Sequence, residues 1–397
     1  MEIKVDEERG TVEGEYFGIP YDDGLPSPEP KFRKLATIRV IEEIQPIEGA
    51  DKIVKARIGG WWVVTAIDNG FNVGDLVVYF EIDSWVPDSV APFLSKGGIP
   101  KEYNGVPGAR LRTIKLRGQV SQGLIMPVKY SENGGYYIDH IDGNIQNVSE
   151  GQDVTEALGI QKYEKPVPGQ LAGQVRGSFP SFIRKTDQER CQNLVRDIFE
   201  KHKDEKYEVT LKLDGSSMTV YYNHEFGFDH SDCKTEVGVC SRNMNLKLDQ
   251  EGNTYVDVAK NSGLIQALYD YGYPMAIQGE LMGPGIQGNR EGFSEHKFYV
   301  FDIWDIEKQK YMTPDERHNI INRLRVDFGV DIYWVPVVYF ETNLSDISIN
   351  NIEEMLSFAD GASINNEVRE GLVFKSHDSN FTFKAISNKF LLKGGED

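Results

Sequence analysis

The sequence predicts an α+β protein in two parts: a small closed β-barrel, then a larger domain of antiparallel sheets flanked by helices. Three observations carry this. Between Arg33 and Val128, short apolar runs alternate with glycine-bearing turns at the even spacing of an all-β module. Beyond about residue 178, strand and helix patterns interleave irregularly, which favours antiparallel sheets over a doubly wound one. The chain has 397 residues, 40% of them hydrophobic and 26% charged, enough for two separate cores.

The first 32 residues read as an acidic arm: Asp and Glu outnumber Lys and Arg nine to two in residues 1–30, and the stretch ends in Pro26-Ser-Pro-Glu-Pro30. Residues 33–130 hold the barrel. Its strands are expected at Leu35–Ile41, Lys52–Ile58, Trp61–Ile67, Asp75–Phe80 and Leu124–Met126, divided by Gly59-Gly60, Asp68-Asn-Gly70 and Gly74. The insertion from Pro87 to Arg110 reads as a long loop. Two phrases, Ile47-Glu-Gly-Ala-Asp-Lys52 and Leu116-Arg-Gly-Gln-Val-Ser-Gln-Gly123, resemble the OB-fold tRNA-binding domains appended to some synthetases. Residues 131–178, rich in Gly and Asn and closing on Pro166 and Pro168, read as a connector. The second domain, 179–397, is expected to open with a helix behind the capping box Thr186-Asp-Gln-Glu189. A second helix is expected over Tyr255–Tyr271, and a third from the Thr313 N-cap and Pro314 to about Phe328.

Charge and cysteine content bound the function. A net charge of -19 weighs against a nucleic-acid partner, since phosphate contacts need cations. Lys31-Phe-Arg-Lys34, Arg110-Leu-Arg112 with Lys115 and Arg117, and Arg184-Lys185 nevertheless leave room for a local basic groove. No apolar run approaches the roughly 18 residues that span a membrane, and Met1-Glu-Ile-Lys4 opens no signal peptide. Cys191, Cys233 and Cys240 show no disulfide spacing, which suits the cytoplasm. His230-Ser-Asp-Cys233 with Cys240 lacks a fourth ligand at a zinc spacing.

The chemistry centres on Tyr207-Glu-Val-Thr-Leu-Lys-Leu-Asp-Gly-Ser-Ser-Met218. Tyr207, Val209, Leu211 and Leu213 alternate with Glu208, Thr210, Lys212 and Asp214, so a strand with one buried face carries Lys212 and Asp214 on the other. The Asp214-Gly215 pair then reads as the turn of a hairpin leading into Met218–Tyr222. Alone, a lysine beside a carboxylate is as easily a surface ion pair. Downstream follow Cys240-Ser-Arg-Asn243, Ile277-Gln-Gly-Glu-Leu-Met-Gly-Pro284, Phe298-Tyr-Val-Phe-Asp-Ile303, Glu370-Gly-Leu-Val-Phe-Lys375 and Phe383-Lys384. In this order and spacing they resemble the motifs of the covalent nucleotidyltransferases, the ATP-dependent RNA and DNA ligases and capping enzymes. The resemblance covers about residues 180–397.

It implies that the Lys212 amine attacks the α-phosphorus of ATP, releases pyrophosphate and keeps AMP as a phosphoramidate. The attacking amine must be neutral, whereas free lysine is protonated at pH 7. Burial and a nearby Mg or Mn ion would both favour the neutral form. The resemblance gives Asp214, Glu280 and Glu370 as the acids that hold this metal. It further implies that Arg242 contacts the ribose or phosphate, Phe301 stacks on adenine, Asp302 supports the site and Lys384 neutralises the α-phosphate. Two positions depart from the pattern. Leu211 stands where many relatives have Glu, leaving adenine recognition to Thr210 and the main chain around Leu211. The final motif reads Lys384-Ala-Ile386 in place of Lys-x-Lys, so the second lysine's role passes to Lys389 or lapses.

Domain order separates the relatives. DNA ligases and capping guanylyltransferases place an OB domain after the last motif, where only 13 residues remain here. An OB domain ahead of the catalytic one resembles the fifth class of ATP-dependent RNA ligases, which join 3′-OH and 5′-phosphate ends. The expected partner is therefore RNA, as a nicked duplex or RNA/DNA hybrid, engaged by a monomer. In that class Asp68 and Asn69 would meet the ATP pyrophosphate and a second metal. The alternatives are a capping-type guanylyltransferase and a non-catalytic RNA-binding protein.

Overall fold

The computed structural model describes residues 5–6, 11–12, 33–164, 173–226, 233–249 and 252–393. Most of the acidic arm, Pro166, Pro168 and residues 230–232 of the metal reading lie outside the described residues. The backbone of Val5–Asp6 and Thr11–Val12 forms a small antiparallel pair, the second strand adding to Cys233–Cys240. The chain divides into two compact units. One holds the described residues of 30–166 with 191–196 and 391–393, the other those of 173–190 and 197–390.

The first unit contains the expected barrel strands. Ala36–Val40 and Leu124–Pro127 pair on either side of Leu76–Phe80, while Glu43–Pro46, Ile53–Ile58 and Trp61–Ala66 form a second antiparallel ladder. The two ladders are not joined into a closed ring; the OB module is a partly open barrel. Ile38, Val78, Phe80 and Leu111 fill its core. Alternation explains the inward set: Trp61, Val63 and Thr65 are buried while Trp62 and Val64 are half-exposed and Ala66 is exposed. The Pro87–Arg110 insertion is not a plain loop. Val106–Arg110 pairs with Lys101–Tyr103 on one side and with Ser84–Pro87 on the other, and Trp85, Tyr103 and Tyr163 pack their rings together at this sheet. In the stretch read as a connector, Tyr136–Asp139 and Ile145–Val148 form a hairpin whose Ile138 and Val148 join the barrel core.

The second unit is built on two sheets. The larger runs Cys233–Cys240, Ser216–Phe226, Met275–Met282 and Lys297–Asp305, all antiparallel. Its apolar face packs on helices Thr254–Asn261, Leu264–Tyr271 and Pro314–Asp327 through Val220, Val256, Leu268, Ile277, Ile321 and Leu324. The smaller orders Glu189–Arg190, Thr382–Ile386, Gly371–Ser376, Tyr207–Lys212 and Val337–Thr342.

Three local expectations are corrected. Asp214-Gly215 does not close a hairpin, because Tyr207–Lys212 belongs to the smaller sheet and Ser216–Phe226 to the larger. Gly215 does not take a positive φ. It is required for closeness: a Cβ there would lie 2.4 Å from the Met282 sulfur and 2.5 Å from the Leu281 carbonyl oxygen. Thr186–Glu189 caps no helix, since Glu189 and Arg190 are drawn into parallel pairing with Phe383 and Lys384. The helix over Tyr255–Tyr271 is broken at Ser262-Gly263, where Gly263 is left-handed (φ 77°). The third helix is as expected, with a full Thr313–Glu316 capping box and Pro314 at its first position.

Candidate active site

The smaller sheet sorts its side chains by register. Tyr207, Val209, Leu211, Phe374 and Phe383 share one face and form a buried apolar layer. The other face carries Glu208, Thr210 and Lys212, with Lys375 opposite Glu208, Val373 opposite Thr210, and Lys384 opposite Val373. The strand was expected to leave this polar face open. Instead Glu208 and Thr210 are buried, and only Lys212, at the strand's end, keeps about a quarter of its side chain exposed. A lysine in such a place needs a counter-charge. Its Nζ donates to Glu370 Oε1. Glu370 precedes the strand that pairs Gly371 with Lys212, so sheet register delivers the carboxylate.

Glu280 approaches from the larger sheet. Ile277 and Leu281 of its strand enter the main core, and Glu280 points off it, accepting from the Gly215 amide at 3.0 Å. Burial pushes its carboxyl up to about 8; the Lys212 charge opposes this, while Glu370 and Asp214 add to it. Although its side chain retains some exposed surface, the packing around its carboxyl decides the direction. Asp214 is turned to Arg290, whose Nε lies 3.0 Å from its Oδ2.

The three acids do not form a preassembled metal cage: among the described residues no three His, Cys, Asp or Glu side chains converge on a cation site. Two observations still fit a divalent cation. Glu370 Oε2 is buried and accepts no hydrogen bond from the described residues, and the Glu280 carboxyl is destabilised as an anion by its surroundings. Magnesium-type ions are commonly held by one or two carboxylates together with substrate phosphates, which is the donor set Glu280 and Glu370 leave open.

Phe301 stands on Lys297–Asp305 where the ladder slips. Gln278 pairs with Asp302 and Gly279 with Val300, so Phe301 is the extra residue of a β-bulge. Its ring is half-buried among buried neighbours. Gly279 allows the close approach, since a Cβ there would fall 2.4 Å from the Tyr299 carbonyl oxygen. Asp302 anchors the bulge, its Oδ2 lying 2.8 Å from Lys375 Nζ and its Oδ1 3.0 Å from Arg317 Nη1. Lys375 also donates to the Phe301 carbonyl. Arg317 Nη2 reaches Glu208, whose other oxygen lies 2.9 Å from His318 Nε2. Burial pushes the Glu208 carboxyl up, but the His318 hydrogen bond and the charges of Arg317 and Lys375 outweigh it and hold the group down at about 2. Burial, helped by Arg317, lowers the Lys375 ammonium to about 8 against the pull of Asp302 and Glu208.

Comparison with known proteins places this arrangement. The family model described as RNA ligase matches residues 205–390, and an OB-fold domain model matches residues 35–128. A mutant of Naegleria gruberi RNA ligase without ligand is 42% identical over 92% of this chain and 99% of that chain, with a TM-score of 0.77. This chain belongs to the RNA ligase family. Two further mutants of the Naegleria enzyme, one with ATP and Mn and one with AMP and Mn, match at the same identity, TM-score 0.77 and 92% of this chain, covering 100% of each. A search of curated proteins gives no match.

The remaining expected residues of this RNA ligase are distributed as follows. Thr210 is buried on the Lys212 face, two residues along the strand. The Leu211 side chain lies on the opposite, apolar face, and its amide donates to the Pro336 carbonyl at 2.9 Å. Lys384 is mostly buried on the Lys212 face, its Nζ 3.1 Å from Asp187 Oδ1. Arg242 is exposed in the turn between Cys233–Cys240 and Met244–Leu246. Lys389 is two-thirds exposed and its Nζ lies 3.5 Å from Asp360 Oδ2. Asp68 and Asn69 lie in the other unit, on the exposed one-turn helix Ile67–Asn69 ended by left-handed Gly70. Asn69 Nδ2 donates to Thr65 Oγ1 at 2.8 Å. Glu208, Arg317, His318 and Lys375 carry no expectation from sequence. Glu208 reads as an ordinary polar position of an alternating strand and Lys375 only as the end of a motif, and the cost of burying a charge, visible once the fold is known, marks both.

Proposed function

We propose that this RNA ligase consumes ATP and seals 3′-OH to 5′-phosphate ends at nicks in duplex RNA or RNA/DNA hybrids, through AMP bound to Lys212. The observation that supports this reading best is Lys212 paired with the buried Glu370, beside Glu280, on the one polar face of an otherwise apolar sheet. In the first step the Lys212 nitrogen forms a bond to the α-phosphorus, the bond to the bridging oxygen breaks, and pyrophosphate leaves. The 5′-phosphate of RNA then attacks the same phosphorus and displaces the lysine. Finally the 3′-OH attacks the activated 5′-phosphorus and AMP departs.

Glu370 holds the Lys212 ammonium in the resting enzyme, so its oxygens must turn elsewhere before the amine can attack. A divalent cation at Glu280 and Glu370 supplies positive charge that disfavours the ammonium and offsets the phosphates. Asp214, now paired with Arg290, would be the third acid available to that cation. Phe301 offers its ring to adenine with Asp302 behind it, Thr210 serves adenine recognition from the Lys212 face, and Lys384 offsets charge on the α-phosphate. Arg242 serves the ribose or phosphate, and Asp68 and Asn69 the pyrophosphate.

We assign residues 33–130 to the OB domain, 131–178 to a connector, 179–397 to the adenylyltransferase domain and 1–32 to an arm. The monomeric, cytoplasmic state is part of this proposal; a buried free thiol at Cys240 accords with it. Incubation with radiolabelled ATP or GTP and denaturing electrophoresis tests the reading. Wild type should carry an AMP adduct and Lys212→Ala none. A GMP adduct would instead indicate a capping enzyme, and label on folded Lys212→Ala would remove the lysine from its role.

A further inference from the structure

A buried ion network lies beside the site. Glu208, Asp302, Arg317 and Lys375 are all buried, and they come from both sheets and from the helix Pro314–Asp327. Two acids face two bases, and His318 closes the outer end, stacked on Trp334 with ring centroids 4.0 Å apart. Replacing a buried cluster of this kind with apolar residues is often neutral or stabilising, so its presence calls for a geometric reason.

Such a reason lies in what the network touches. One guanidinium fork spans Glu208, four residues before Lys212 on the same strand, and Asp302, which follows the bulge residue Phe301. Lys375 closes the ring by holding both the Asp302 carboxylate and the Phe301 carbonyl. The nucleophile's strand and the Phe301 ring belong to different sheets, which share no strand-to-strand ladder, so side chains must set one against the other. Arg317 hydrogen-bonds to a carboxylate of each, Glu208 of one sheet and Asp302 of the other.

We propose that Arg317 is a positioning residue: its fork sets the Phe301 platform relative to the Lys212 strand, and so sets discrimination for adenine. This rests on Phe301 being the adenine platform. Arg317 is buried and acts through Asp302, Lys375 and Glu208. Lysine at this position keeps the charge but lacks the planar fork needed to bridge two carboxylates in fixed directions.

The test compares ATP with ribose 5′-triphosphate, which lacks the base, as donors to Lys212 in the full-length protein. Wild type should prefer ATP strongly in kcat/KM. Arg317→Lys should lower that preference about tenfold, chiefly through a higher KM for ATP, while the rate with ribose triphosphate changes less than about threefold. If Arg317→Lys does not fold, Glu208→Gln should lower the same preference by a smaller factor, about threefold. A folded variant that keeps the wild-type preference overturns the positioning role, as does one that loses both donors equally. A wild-type enzyme indifferent to the base would instead overturn the reading of Phe301, which separates the two failures.

Discussion

Phe301 owes its half-exposed ring to being one residue too many in its strand. In a regular ladder the run from Phe298 to Ile303 would alternate faces, and Phe301 would fall where its neighbours dictate; the bulge lifts it from that sequence. A flat apolar ring at the edge of a polar face suits a purine, and such stacking is worth roughly 0.5–1.5 kcal/mol beyond area burial. Phe301→Leu keeps the apolar volume and removes the flat face. It should raise the KM for ATP in adenylation by about three- to tenfold and leave the rate at saturating ATP within about twofold. An unchanged KM in the folded variant would make Phe301 a packing residue. The motif around it was legible in the sequence, but the bulge was not, because it depends on the register with Gly279 across the sheet.

At the scale of elements, what could be read from sequence was what is decided locally. Thr313, Pro314 and Glu316 specify a helix start within four residues, and the structure keeps it. Thr186–Glu189 carries the same kind of signal and is overruled, because Glu189–Arg190 extends the edge of the Lys212 sheet next to Thr382–Ile386. Asp214-Gly215 looks like a hairpin turn, yet its glycine serves contact with Leu281 and Met282 while the chain changes sheets. The join between sheets is carried by the Glu208 network, and this gives it a pH signature. The Glu208 carboxyl titrates at about 2 in the folded protein against an ordinary value near 4.5. A depressed carboxyl contributes stability that is present above its unfolded pKa and lost as pH falls towards the folded one. That contribution is roughly 3 kcal/mol, fading between about pH 4.5 and 2. Urea unfolding of wild type and Glu208→Gln should therefore converge by about that amount over this window. A constant difference between them would mean that Glu208 keeps its charge for no energetic reason.

At the scale of the whole molecule, a chain of net charge -19 handles a polyanion, so phosphate contacts must be local rather than global. The two units divide the residues assigned to ATP: Lys212, Glu280, Glu370 and Phe301 lie in one, Asp68 and Asn69 in the other. Domain order made this division legible in the sequence; the segment Cys191–Arg196 did not, since it returns to the barrel unit from within the catalytic stretch through Trp61–Asn193 and Asn193–Glu81 hydrogen bonds of 2.6 Å each. Cutting the chain at residue 178 would leave that segment without its partners, so a point substitution probes the barrel more cleanly. Asp68 is exposed, and its loss removes no buried contact. If it serves pyrophosphate departure, Asp68→Ala should slow lysine adenylation by at least about tenfold, close to 1.4 kcal/mol of transition-state stabilisation. Sealing of a nick that already carries AMP on its 5′ end releases no pyrophosphate and should stay within about twofold of wild type. Equal slowing of both reactions would move Asp68 from the ATP step to RNA engagement, and normal adenylation would remove it from the ATP step altogether.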